Sequence, residues 1–341
     1  MDIVTVLLDG ARAALGPNAA IFAFLAIGLN IHYGYTGLLN FGQVGFMAAG
    51  AYGVGTSVLW LGIGFWPGLL VGVGYCLLLA LLLGIPTLRL RADYLGITTI
   101  AASETIRLFV RWRGNRDRTG AAEGINDFAD PFFELRDSLG ILQRPGSVPY
   151  RFLVFEYRAD DLWVMLVGWS VVGLCLLMTW QLMRSPWGRV LKAIREDEDA
   201  ARALGKNAYS YKLQALAIGG VVGGLAGMLQ AIDKQSVQPD TYNPVITFMI
   251  WTVLIIGGAA RVWSPVIGAM IFWGLISGLE ALMRELIDSS LDEVLARFLN
   301  LDVQNVSQVR FMVFGLVLML LMRYRPQGIF GSREEMALDD R

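Results

Sequence analysis

The chain has 341 residues, 55% of them hydrophobic and only 17% charged, with a mean hydropathy of +0.53 and a formal net charge of −1. A soluble domain carries about a quarter charged residues, and a near-neutral chain with dispersed basic residues lacks the footprint of a nucleic-acid binder. Two cysteines inside apolar runs, Cys76 and Cys175, and the single histidine His32 argue against a disulfide framework and a His-rich metal centre.

From Ala13 to Leu88 there is no Asp, Glu, Lys or Arg. Such a stretch holds about three membrane spans at ~20 residues each. The expected fold class is therefore an all-α polytopic membrane helix bundle. Residues 1–16 form an N-terminal segment in which Ile3, Val4, Leu7, Leu8, Ala11, Ala14 and Leu15 share one helical face, with Asp2, Asp9 and Arg12 elsewhere. That pattern suits an amphipathic helix in the membrane interface or the first turns of a span. No basic region precedes the first apolar run, so no cleavable signal peptide is expected.

Apolar runs follow at about 17–33, 40–61, 66–88, 94–112, 162–183, 212–232, 244–261, 264–284 and 306–323. They give an expectation of eight or nine spans within a transmembrane domain over 17–331. The fourth is weakened by Glu104 and Arg107. Lys and Arg near span ends set orientation. Segment 184–211 holds Arg184, Arg189, Lys192, Arg195, Arg202 and Lys206, which places it in the cytoplasm. Alternation then puts Arg89, Arg91, Arg261, Arg323 and the tail 332–341 inside, and the loop 113–161 outside, although that loop holds seven arginines. Small residues four apart, at Gly45/Ala49/Gly53, Gly68/Gly72, Gly219/Gly223/Gly227 and Gly274/Gly278, allow the close backbone approach through which helices associate in lipid.

Three constellations stand out. Asn30, His32, Asn40 and Gln43 are the main polar residues of the charge-free region, and Gly34, Gly37 and Gly42 interrupt the helix there. Backbone broken at membrane depth is tolerated only where protein buries it or water lines it. Asn30, Asn40 and Gln43 therefore either line a translocation pathway or satisfy the broken backbone. Glu104, Arg107 and Arg111 share a helix face, as an ion pair between helices or as a polar element of the pathway. In the third, Asp197 to Leu204 reads as a short charged helix with acids in its first turn and Gly205 placed for a left-handed C-terminus. The one Gly-Lys pair, Gly205-Lys206, is followed by Asn207, so the chain lacks a phosphate-cradling loop of the GxxxxGK[ST] type. No catalytic arrangement is evident.

The segment Ser185-Pro186-Trp187-Gly188-Arg189 through Ala193-Ile194-Arg195-Glu196-Asp197-Glu198, Ala200-Ala201 and Leu204-Gly205 resembles the coupling loop of ABC importer permeases of the branched-chain amino-acid and urea type. Asn30 to Gln43, Leu88 to Tyr94, Glu104 to Arg107 and Arg325 to Gly331 resemble other blocks of that family, so the likeness covers roughly 25–331. It implies a permease subunit for branched-chain amino acids, urea, short amides or a related small polar solute. It also implies Arg195, Glu196, Asp197, Glu198, Asp199, Ala200, Ala201, Leu204 and Gly205 as ATPase-coupling residues, with the small Ala200 and Ala201 facing a groove on the ATPase. No cofactor is expected in this chain; ATP and Mg belong to two partner ABC ATPases. A second similar permease, identical or not, an extracytoplasmic substrate-binding protein and the lipid bilayer are the other implied partners, in the inner membrane of a bacterium. The alternative is an ion-coupled secondary carrier using Glu104 and Arg107. Two motifs depart from the family pattern, Thr119-Gly120-Ala121-Ala122-Glu123-Gly124 and Gly257-Gly258-Ala259-Ala260-Arg261, and they leave the solute open.

Overall fold

The computed structural model describes residues 3–90, 92–142, 150–152 and 155–288, together with scattered positions between 312 and 330. The chain is mostly helical, in thirteen α-helices among the described residues: α1 (Ile3–Leu15), α2 (Pro17–Leu29), α3 (Gln43–Leu59), α4 (Phe65–Thr87), α5 (Ala92–Arg111), α6 (Arg116–Thr119), α7 (Asp130–Ser138), α8 (Ala159–Arg184), α9 (Pro186–Glu196), α10 (Glu198–Ala203), α11 (Ala208–Lys234), α12 (Pro244–Gly257) and α13 (Ser264–Asp288).

By length and apolar composition α4, α8, α11 and residues 264–282 of α13 are able to cross a membrane. The pair α1–α2 adds a fifth when taken as one span bent by 50°. The bend follows from Gly16-Pro17: proline occupies the first helical position, where its missing N–H costs nothing. The other expected runs are shorter or more polar. Helix α3 has only 17 residues, about 25 Å at 1.5 Å per residue, because the backbone ahead of it is not helical. Helix α5 carries Glu104, Arg107 and Arg111, and α12 has 14 residues. The run 306–323 lies largely outside the described residues, and the tail 332–341 wholly so.

The centre of the bundle is α2, buried at every position from Ala19 to Leu29 and packed against α8, α11, α12 and α13. Helix α4 shows the opposite pattern: Gly68, Gly72, Cys76, Ala80 and Leu83 face inward, while Leu70, Leu77, Leu78, Leu81 and Leu82 are exposed, as suits a lipid-facing side. The small-residue rows are the seams. A Cβ on Gly227 would meet the Met47 carbonyl, one on Gly53 the Gly72 backbone, and one on Gly10 the Gly274 carbonyl. In lipid such close packing replaces the hydrophobic driving force between helices.

The described residues of segment 113–161 and the α11–α12 connection form a cap at one end of the bundle. Two-residue strands β1 (Ile125–Asn126) and β4 (Ser236–Val237) pair antiparallel, and β2 (Tyr150–Phe152) pairs with β3 (Phe155–Tyr157), the two numbered with the others in chain order. Trp163 Nε1 donates to Phe132 O at 3.1 Å and fastens α7 to α8. Helices α9 and α10 lie at the other end.

Candidate functional site: coupling segment and buried polar network

Helix α9 starts with Pro186 at its first position and buries Gly188, Leu191 and Ile194 on one face. This helix was not evident from the sequence, which suggested only the shorter one after it. Asp197 ends α9 and caps α10: its Oδ1 accepts from Ala200 N at 2.9 Å, satisfying one of the free N–H groups of a helix start. Gly205 closes α10 at φ +77°, where a side chain is disfavoured. Asn207 then caps α11 by accepting from Ser210 N at 3.1 Å.

Three contacts hold the segment to the bundle. Glu198 accepts from Arg202 Nη2 at 2.6 Å and pairs with Lys212 on α11. Trp187 Nε1 donates to Gln214 Oε1 at 2.8 Å. Arg195 donates through Nη1 to the Gly34 carbonyl, and its Cγ lies where a Cβ on Gly37 would press at 3.2 Å. Lys192 sits 5.9 Å from the Tyr35 ring.

The residues expected to couple do not share one environment. Ala201 is 3% exposed and packs with Ile194 and Ala208, so it faces the protein's own interior and is closed to a partner. Ala200, Asp199, Arg202 and Ala203 face solvent, and Leu204 at the tip is 80% exposed. Glu196 and Gly205 are also exposed, and Arg195 is half-buried.

The first span loses α-helical geometry in a π-helical turn, Asn30–Gly34, and residues 37–42 are not helical. Asn30, His32, Asn40 and Gln43 are all buried there. Asn30 Nδ2 donates to Arg261 O at 2.9 Å and Oδ1 accepts from Ala260 N at 2.8 Å, so it holds the turn after α12. Asn40 Oδ1 accepts from Gly42 N at 2.7 Å, while Nδ2 bridges His32 Nδ1 at 3.0 Å and Gln43 Oε1 at 3.2 Å. Gln43 Nε2 donates to Gly219 O at 3.2 Å, and His32 Nε2 lies 3.1 Å from Leu216 O. Because a carbonyl only accepts, Nε2 carries the proton, and Nδ1 is the acceptor for the Asn40 amide. A neutral ring with both nitrogens engaged holds α2 against α11. The Asn40 bond fills the Gly42 N–H of the broken backbone, while Asn30 reaches the turn after α12 and His32 and Gln43 reach carbonyls of α11.

Arg107 binds Glu104 with two parallel bonds of 2.9 and 2.5 Å. Its Nη1 also reaches Asp240 Oδ1 at 3.0 Å, as does Arg111 Nη1. Asp240 lies in the turn Pro239–Tyr242 between α11 and α12, so the cluster ties α5 to the capped end. Spacing alone did not reveal Asp240, a single acid in a short connection. Burial pushes the neighbouring Tyr242 hydroxyl well above its usual range. Among the described residues no hydrogen bond joins this cluster to the Asn40 network, and no group of three or more His, Cys, Asp or Glu is placed to hold a metal ion.

A family model described as "Branched-chain amino acid transport system / permease component" matches residues 17–322. The high-affinity branched-chain amino acid transport system permease protein LivM of Escherichia coli K12 is 29% identical over 312 residues, which is 91% of this chain and 67% of LivM. The probable branched-chain amino acid transport permease protein LivM of Methanocaldococcus jannaschii is 26% identical, covering 92% of this chain and 91% of its own length. The autoinducer 2 import system permease protein LsrC of Photorhabdus laumondii is 28% identical over 118 residues, about a third of each chain. No solved structure matches. With nearly the whole helical bundle inside that match, the chain belongs to the family of branched-chain amino acid transport system permease components.

Proposed function

We propose that this chain is the membrane-spanning permease subunit of an ATP-binding-cassette importer for branched-chain amino acids or a related small polar solute such as urea or a short amide. Segment 184–211 is its cytoplasmic coupling loop and 113–161 its extracytoplasmic loop, in the inner membrane of a bacterium. Two partner ATPases dock on the exposed face of α10, a second permease completes the path, and a binding protein delivers solute to the outer cap. Eight or nine spans are the count for this reading, with α3, α5 and α12 crossing beside the five apolar candidates.

The observation that carries this is the pairing of an exposed tip with a fastened base. Asp199, Ala200, Arg202 and Leu204 offer a free surface, while Arg195 binds the broken first span at Gly34. A push on the tip thus reaches the membrane core through α9. Alternating access needs two states biased by partners and no bond chemistry in this chain.

Gentle affinity purification of the tagged chain from its native membranes, with partners identified by mass spectrometry, tests the proposal. ATPase subunits and a second permease in fixed ratio are expected. Recovery of the chain alone, under conditions that keep another importer together, overturns the docking assignment and leaves the ion-coupled carrier as the better account.

A further inference from the structure

Behind the coupling segment lies a cavity of about 290 Å³, near the small end of the roughly 300–1,000 Å³ range of ligand pockets. Its wall is aliphatic: Leu38 from the broken loop, Leu88 and Leu90 from the α4–α5 turn, Leu95 from the first turn of α5, and Ile194 from α9. Its other side is charged, with Arg195, Lys212 and Glu198. Among the described residues lining it none is aromatic, so these offer no ring for a nucleotide base to stack on.

The charged side suits both ends of a zwitterion. Arg195 has five N–H donors in a planar fork, and one goes to Gly34 O. Lys212 has three donors and gives one to Glu198. Both cations thus present further N–H groups able to bind a carboxylate, and the Glu198 oxygens, one accepting from Arg202 and the other from Lys212, keep further lone pairs for an ammonium group. With aliphatic walls in the same cavity, the chemistry fits a small aliphatic amino acid better than a sugar, an amide or a polyamine.

We propose that this pocket binds a branched aliphatic amino acid from the cytoplasmic side and that occupancy slows import. The walls come from separate parts of the fold: the broken loop, the α4–α5 turn with the start of α5, the coupling helices and α11. A ligand bridging them stabilises this arrangement by its differential affinity for it, so accumulated product holds the coupling segment in place. The inference rests on the proposed sidedness of segment 184–211.

The test has two arms. In the first, binding of tritiated L-leucine to the full-length chain in lipid nanodiscs is measured. Saturable binding is expected, competed by L-isoleucine and L-valine but not by hexanoate or isoamylamine, which each lack one charge. The variant Leu90→Trp fills the cavity from its exposed rim, where Leu90 is 46% accessible, and is expected to weaken binding at least tenfold; Lys212→Met does the same from the charged side. No saturable binding, binding untouched by Leu90→Trp, or equal competition by hexanoate (the mark of an acyl-chain site) overturns the pocket.

In the second arm, membrane vesicles carrying the complete transporter are preloaded with L-leucine. ATP-driven uptake should slow in the unaltered protein, while Leu90→Trp keeps its initial rate and loses the slowing. Normal uptake with no effect of preloading overturns the regulation. Absence of any ATP-driven uptake strikes the importer reading instead, and the binding arm then decides the pocket by itself.

Discussion

Arg195 and Gly34, 161 positions apart in sequence, are joined by a guanidinium-to-carbonyl hydrogen bond. The carbonyl belongs to the last residue of the π-helical turn at which the first span breaks. A broken helix has backbone acceptors that its own ladder does not fill, and here a cation from α9 fills one. The bond therefore links the segment facing the cytoplasmic partners, as proposed above, to the π-helical break in the first span.

Hydrogen bonds to charged groups contribute about 1.5–3 kcal/mol, and 1.4 kcal/mol is a factor of ten. Arg195→Met should lower ATP-driven uptake by roughly ten- to a hundredfold while insertion and ATPase co-purification persist. Unchanged uptake would show that the linkage does not transmit motion.

The tip of α10 separates docking from folding. Leu204→Asp removes an exposed apolar side chain; it should leave the thermal midpoint unchanged and release the ATPase subunits during purification. Ala201→Arg, by contrast, forces a cation into the space shared with Ile194 and Ala208. Less folded protein in the membrane is expected, because a buried unpaired charge costs several kcal/mol. Equal yields of the two variants would contradict the burial of Ala201.

The glycine seams are steric requirements. Gly227→Ala places a Cβ against the Met47 carbonyl, and backbone cannot rotate away as a side chain does. Overpacking of this kind costs typically ~1–3 kcal/mol, so the thermal midpoint in detergent should fall. Gly173→Ala on α8 meets nothing within 4 Å and should be neutral or slightly stabilising. A like response from both would remove the seam argument.

Asn40→Leu strands the Gly42 N–H, the His32 Nδ1 and the Gln43 Oε1 together. Each buried group left unpaired costs about 1–3 kcal/mol, so this substitution should be among the most damaging to yield and heat resistance. A variant as stable as the parent would mean that water or another partner replaces the amide.

Glu104→Gln addresses the ion-coupled alternative. The carboxylate is engaged by both arms of Arg107, and the pair is partly exposed, where such bridges contribute about 0–1 kcal/mol. ATP-driven uptake should continue in this variant, and in the parent it should survive collapse of the proton and sodium gradients. Loss of uptake on adding a protonophore, at constant ATP, would favour a carrier.

The amino-acid sequence by itself determined the helical membrane class, because a charge-free stretch from Ala13 to Leu88 has few folds open to it. It also marked the packing seams, since glycines four apart lie on one helix face whatever lies opposite. The short helix capped by Asp197 and closed by Gly205 was legible for the same reason: caps act within one turn. Tertiary structure alone decided what those features meet. That Ala201 packs with Ile194, that Asn40 bonds His32 and that Asp240 completes the Glu104–Arg107 pair all depend on contacts that helical spacing does not show. Helical spacing says which residues share a face, but only packing says what that face touches.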